Sequence, residues 1–293
     1  MTLSRAMHLL LCAAACLFSL AAQAEIRYTV TIVGGADSAA RGINGQGDVV
    51  GYLTTPGGDR HAFAQIGGIT SDLGTFGGAN SVAWGINNAG QVVGGAENAG
   101  GTERAFSFLG GVMSDLGTLG GDSAYAHAIN NSGAIVGSAR TAADEWRGFL
   151  YTGGVMQNLG TLPSIDGFYS YAYAINDAGK IAGSSSAGQF GLPEQPLHAF
   201  VRCCDGTLTD LGTFGGQYSE AFGINDFGEV VGGSSTAVLM VNHAFLYSGG
   251  VVSDLGTLSG QPYAYGNDIT TCTRSSGTRP WMGAGAFCGK TAA

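Results

Sequence analysis

"HAFLYSGGVVSDLGTL", residues 243–258, decides the fold. Close copies start at His61, Arg104, Arg147 and His198, so the chain repeats one phrase five times. Ahead of each copy stands an Ile-Asn dipeptide: Ile43-Asn44, Ile86-Asn87, Ile129-Asn130, Ile175-Asn176 and Ile224-Asn225. A degraded sixth follows at Ile269-Thr270, and the successive spacings are 43, 43, 46, 49 and 45 residues. Periods of this size belong to stacked or ring-like repeats and outrank any local reading.

Each unit reads S-x-A-x-x-I-N-x-x-G-x-V-V-G, then a variable stretch, then H-A-F and D-L-G-T. Four short β-segments fit this pattern. Strand a ends at Ile-Asn, b is Val-Val-Gly, c is His-Ala-Phe and d is Asp-Leu-Gly-Thr. Asn-x-x-Gly suits the a–b turn, because Asn bonds its own turn and Gly accepts a left-handed backbone. Gly67-Gly68, Gly110-Gly111, Gly153-Gly154, Asp205-Gly206 and Gly249-Gly250 mark the c–d hairpin tips. Strand c carries apolar groups on both faces, Phe245 and Tyr247 on one and Ala244 and Leu246 on the other. A sheet apolar on both faces must be sandwiched between neighbours. Four strands per unit packed on both sides predict the blade of an all-β propeller.

The two ends predict closure. Val33-Gly34-Gly35 aligns with Phe76-Gly77-Gly78, so an unpaired strand d, Tyr28–Ile32, opens the chain, and an unpaired strand a, Tyr263–Ile269, ends the repeats. Together they predict six four-stranded blades, the last closed by both termini, which removes free sheet edges. Five blades and a β-solenoid are the alternatives. The expected domains are a signal peptide over 1–24, the propeller over 25–270, and a degenerate tail over 271–293 that could complete the last blade.

The consensus resembles the HAF-repeat family, a group of extracellular bacterial repeat proteins, over about residues 28–270. The resemblance implies export and repeat architecture. It transfers no catalytic residue or ligand. Departures from the pattern are Arg104 and Arg147 for its His, Gly148 for its Ala and Asn158 for its Asp.

The first residues agree with export. Arg5 precedes an apolar run from Leu9 to Ala22, and Ala22-Gln23-Ala24 offers the small residues a signal peptidase needs. The run is short for a membrane anchor, since spanning takes about 20 residues. A lipoprotein cleavage at Cys16 would leave an apolar stub. The expected product is therefore secreted, extracellular or periplasmic, without membrane insertion, and monomeric. Lys and Arg number 12 against 21 Asp and Glu, and the leader carries one of those bases. An acidic surface repels phosphate backbones, so nucleic acid is not an expected partner. Four cysteines lie beyond the leader: Cys203, Cys204, Cys272 and Cys288. In an oxidising compartment Cys272 and Cys288 could staple the tail.

No catalytic, metal or cofactor site is expected. His61, His198 and His243 share one slot in different units, and slots on separate blades lie more than ~10 Å apart, too far for one zinc ion. Arg104 and Arg147 occupy the same slot, so the position calls for a cation. The partners are the carboxylates across the hairpin, Asp72, Asp115, Asp210 and Asp254. "GAGAFCGKT", 283–291, misses the phosphate-loop register, because Ala284 stands where the first Gly is needed. Asp144, Glu145, Asp166 and Glu194 occur once each and read first as solvated loop charges. A glycosidase or lyase would need two of them flanking one bond.

Loop lengths locate a candidate site. Residues beyond the 43-residue minimum enter mainly around Pro163–Asp166, in a d–a connector, and between Gly183 and His198, in a b–c loop. In an up-down blade these connections share one rim, and function on a rigid scaffold concentrates in such loops. Around them lie Trp146, Asp166, Phe168, Tyr169, Phe190 and Tyr218. Flat rings beside carboxylates suit a glycan, while Tyr171 and Tyr173, at strand spacing, read as core. The expectation is a non-enzymatic binding scaffold for a glycan or a cell-surface protein. A structural surface or matrix repeat is the alternative.

Overall fold

The computed structural model describes residues 37–163, 167–187, 196–203 and 205–271. The chain divides into two units, Met1–Ile32 and Val33–Ala293, and the described residues all belong to the second. The signal peptide, the expected first strand Tyr28–Ile32, the tail and both of its cysteines lie outside them.

The described residues contain twenty strands and no helix. The first sheet is β1 (Ala39–Ile43), β2 (Val49–Thr54), β3 (Arg60–Ile66) and β4 (Ile69–Gly74). The second is β5 (Gly77–Ile86), β6 (Val92–Asn98), β7 (Glu103–Leu109) and β8 (Val112–Asp115). The third is β9 (Gly120–Ile129), β10 (Ile135–Thr141), β11 (Trp146–Thr152) and β12 (Val155–Asn158). The fourth is β13 (Ser170–Ile175), β14 (Ile181–Ser186), β15 (Leu197–Arg202) and β16 (Leu208–Asp210). The fifth is β17 (Gly215–Ile224), β18 (Val230–Thr236), β19 (Asn242–Ser248) and β20 (Val251–Gly256). Each is antiparallel in sequence order, and a single parallel bridge, Leu197 to Tyr218, joins the fourth to the fifth.

Register explains the motif. Gly94 of β6 lies opposite Phe106 of β7, and Gly137 opposite Phe149, with the same pairing at Gly51–Phe63, Gly183–Phe200 and Gly232–Phe245. A Cβ on Gly94 would sit 2.0 Å from the Val82 carbonyl oxygen and 2.7 Å from the Phe106 ring. The glycine of Val-Val-Gly is thus the seat on which the fully buried Phe of His-Ala-Phe rests. Each hydrophobic cluster spans two consecutive sheets. One, for example, unites Val50, Ala62, Ala64 and Leu73 with Ala83, Ile86, Val92 and Phe106. A single sheet could not bury both faces, so burial ties each unit to the next. Ile86, Ile129, Ile175 and Ile224 each pack on the unit before them. Ile43, in the first described unit, is 64% exposed, against 8% for Ile86.

The Asn-x-x-Gly turn does two jobs. Asn87 Oδ1 accepts the amides of Ala89 and Gln91 at 3.1 and 3.0 Å, which closes its own turn. Its Nδ2 donates 3.2 Å to the carbonyl of Asn130 in the next unit. Asn44 reaches Asn87, Asn130 reaches Asn176, and Asn176 reaches Asn225 in the same way. A second latch lies beside it, in which the Asn88 amide donates to Asn131 and the Asn131 amide to Asp177. These turns, with Ile269, Thr270 and Thr271, line a cavity of about 350 Å³. Strand a of every unit is therefore innermost.

Two expectations shift. Strand d lies largely ahead of Asp-Leu-Gly-Thr and ends in it. Asp72 Oδ1 accepts the Gly74 amide at 2.8 Å and Gly74 takes φ 75°, which bends the chain towards the next unit. The segment Tyr263–Ile269 follows strand-a packing without being a strand. Tyr263 makes one parallel bridge to Asn242, and the Gly266 amide donates to the Gly232 carbonyl.

Candidate functional site

The a–b and c–d turns share one rim, as the Gly67 amide bonding Asp48 Oδ1 shows. The b–c and d–a connections share the other, where Phe76 bridges Asn98 and Leu119 bridges Thr141. Trp146, Phe168, Tyr169 and Tyr218 belong to this second rim. Asp166 and Phe190 lie outside the described residues.

Trp146 opens β11. Its ring lies 5.6 Å from Tyr125, and the Arg140 guanidinium sits 5.2 Å from its centroid. Phe168 and Tyr169 touch at 6.3 Å, and Tyr169 is 40% exposed. Tyr218, 39% exposed, sits one unit further on at the start of β17. Arg147 links Trp146 to the connector that carries Phe168. It donates to the carbonyl oxygens of Trp146 (3.2 Å), Gly167 (3.0 Å) and Phe168, and Nη2 pairs with Glu145 at 2.9 Å. One guanidinium thus fixes the d–a connector against strand c.

In the other four hairpins the slot is occupied differently. His61 Nδ1 lies 2.9 Å from Asp72, His198 2.9 Å from Asp210, and His243 2.8 Å from Asp254, while Arg104 Nε lies 2.9 Å from Asp115. Desolvation raises the Asp210 and Asp254 carboxyls, but the histidine and the Gly212 or Gly256 amide outweigh it, so both sit below the ordinary carboxylate value. These pairs staple c to d. Cys203 is a free, half-buried thiol.

Sequence reasoning missed a row of rings on the innermost strands. Two residues before each Ile stand Arg41, Trp84, His127, Tyr173 and Phe222. Arg41 lies 5.1 Å over Trp84, Trp84 6.4 Å from His127, His127 5.5 Å from Tyr173, and Tyr173 5.7 Å from Phe222. Phe222 continues to Tyr265 at 6.3 Å. Tyr171 stacks on Tyr173 at 6.1 Å, so the pair read as core belongs to this half-buried row. Desolvation pushes His127 down to about 4, leaving a neutral ring whose Nε2 lies 3.1 Å from Ser138 Oγ. Tyr173 Oη lies 3.4 Å from Glu220 Oε1. Desolvation raises the Glu220 carboxyl, with the Tyr173 hydrogen bond pulling it back only in part. The signal was present as aromatics at fixed offsets from Ile, but their identities differ from unit to unit, and a consensus discards such positions.

No family model matches the chain, and no curated protein matches it. Among solved structures it is similar to TolB from Acinetobacter baumannii, with a TM-score of 0.51 and 12% identity over 73% of this chain and 52% of that one. It thus spans about half the length of that protein. It is also similar to a puromycin-hydrolysing peptidase from Mycobacterium tuberculosis (TM-score 0.43, 14% identity, 75% of this chain and 37% of that one). AofleA from Arthrobotrys oligospora gives 0.39 and 14%, over 75% and 72%. Identities this low speak to the fold alone: an all-β chain of four-stranded sheets, arranged as in β-propellers.

Proposed function

We propose that this chain is an exported, non-enzymatic HAF-repeat propeller of six blades, monomeric, whose b–c/d–a rim binds a glycan. The observation that carries the reading is the use of Arg147. It leaves the hairpin role its counterparts keep and anchors the connector bearing Phe168 and Tyr169 beside Trp146. Rings on a backbone tied down by a planar cation give sugar CH faces a platform that loses little entropy on binding. The surrounding backbone carbonyls and carboxylates serve the hydroxyl rim. The acidic balance of the chain favours neutral over phosphorylated ligands.

A glycan array probed with the signal-cleaved protein tests this. The expected result is a defined set of ligands lost on the double change Trp146→Ala and Tyr169→Ala, with the circular dichroism of the fold unchanged. An array without ligands, or binding indifferent to that change, overturns the reading.

A further inference from the structure

A repeat protein separates two kinds of residue, because a folding role recurs in every unit and a ligand's does not. On the innermost strands of the second to fifth sheets the Ala three before the Ile recurs as Ala83, Ala126, Ala172 and Ala221, all fully buried. The positions around it diverge. Four before the Ile stand Val82, Tyr125, Tyr171 and Glu220, and two before it Trp84, His127, Tyr173 and Phe222. These diverging side chains touch one another across units, as the ring contacts above show.

Among them Glu220 is the one carboxylate. Its hydrogen-bond neighbour is the neutral Tyr173 hydroxyl at 3.4 Å, and it makes no ion pair among the described residues. Desolvation disfavours its charge, so a carboxyl set among rings gains most from a cation that also presents CH groups. We infer that Tyr171, Tyr173, Glu220, Phe222 and Tyr265 form a cage for an organic ammonium ion, a quaternary or methylated amine. Ring faces attract such cations when the site is partly desolvated. The far end of the same row already holds one, since the Arg41 guanidinium lies 5.1 Å over Trp84 and 5.8 Å over Tyr52. A neutral sugar would leave Glu220 uncompensated, and a small hydrated metal ion would have to exchange water for ring faces. Tyr265, 47% exposed, leaves a way in. The inference is independent of the rim reading.

Calorimetric titration of the full chain tests it, with tetramethylammonium and choline as probes and 3,3-dimethylbutan-1-ol as choline's uncharged isostere. Both ammonium probes should saturate one site, and the isostere should bind at least about tenfold more weakly. Glu220→Gln should weaken choline about tenfold, and Tyr265→Ala, at an exposed edge, about threefold. Tyr173→Phe keeps the ring and should stay within about twofold. The rim change Trp146→Ala with Tyr169→Ala should leave choline binding untouched. Absence of saturation, an isostere that binds as well as choline, or folded Glu220→Gln and Tyr265→Ala variants with unaltered affinity would each overturn the cage.

Discussion

The second and third hairpins are a natural experiment. β7 and β11 have the same length and the same order of buried and half-buried positions, as do β8 and β12. Both offer an arginine in the slot before the buried Phe. Opposite that arginine, strand d ends in Asp115 in one and in Asn158 in the other. Asp115 takes the Gly117 amide with one oxygen and Arg104 with the other. Asn158 takes the Gly160 amide at the same 2.8 Å but has no charge for Arg147. The turn survives and the cation is released. Arg104 also reaches one carbonyl of the next sheet, that of Asp122 in β9, whereas Arg147 gathers three carbonyls and Glu145. The arginine that staples its hairpin in the second sheet anchors a loop in the third.

The comparison breaks first if the two frames are not equivalent. Gly94→Ala and Gly137→Ala should each cost about 3 kcal/mol or more, measured by denaturant unfolding, because each Cβ meets a carbonyl and a Phe ring. A large difference between them would mean that the sheets do not share one architecture. Next comes pH. His127 occupies in the third sheet the slot that Trp84 fills in the second, and its folded value of about 4 lies below that of the unfolded chain. Protons therefore bind the unfolded state preferentially between about pH 6.5 and 4. Stability should fall by up to roughly 3 kcal/mol as pH drops through that window. His127→Phe, which makes the slot non-titrating like Trp84, should flatten the profile. Asp210 and Asp254 act lower still, their contribution being lost as pH falls through their depressed folded values.

Smaller effects sharpen the reading of the arginines. Arg147→Ala should cost about 1–2 kcal/mol through the carbonyls it leaves and should abolish rim binding on the array. Arg104→Ala should leave the array pattern intact. Asn158→Asp should change stability by less than about 1 kcal/mol, as exposed pairs do. By drawing Arg147 back to its hairpin it should weaken glycan binding about threefold. An array signal that ignores it would show that the anchor does not matter.

Much of this frame was legible because it recurs. The Asn-x-x-Gly turn, the Gly-Gly tips and the cation facing Asp72 are local arrangements within one unit, and repetition marks which residues take part. The seat that Gly94 gives Phe106 was not legible, since a strand pattern says nothing about the carbonyl beneath a glycine. The partners of Arg147 were hidden because they depend on a neighbouring connector. The ring row escaped for the opposite reason: Trp84, His127, Tyr173 and Phe222 share a place and no identity, and Tyr171 with Tyr173 alternates as any core strand would.

The asparagine latch has a genetic consequence. Each module carries both halves of the joint, a side-chain amide to give and a main-chain oxygen to receive. An unequal crossover that duplicated one internal module would deliver matching halves at both new seams, so copy number could drift without inventing a new interface. The seam after Asn225 is not interchangeable in this way. Asn225 gives its amide hydrogen to Glu229, and Asp226 relies on Thr271. Lineages of such genes should therefore gain and lose modules ahead of the one that carries Asn225 while holding that one fixed.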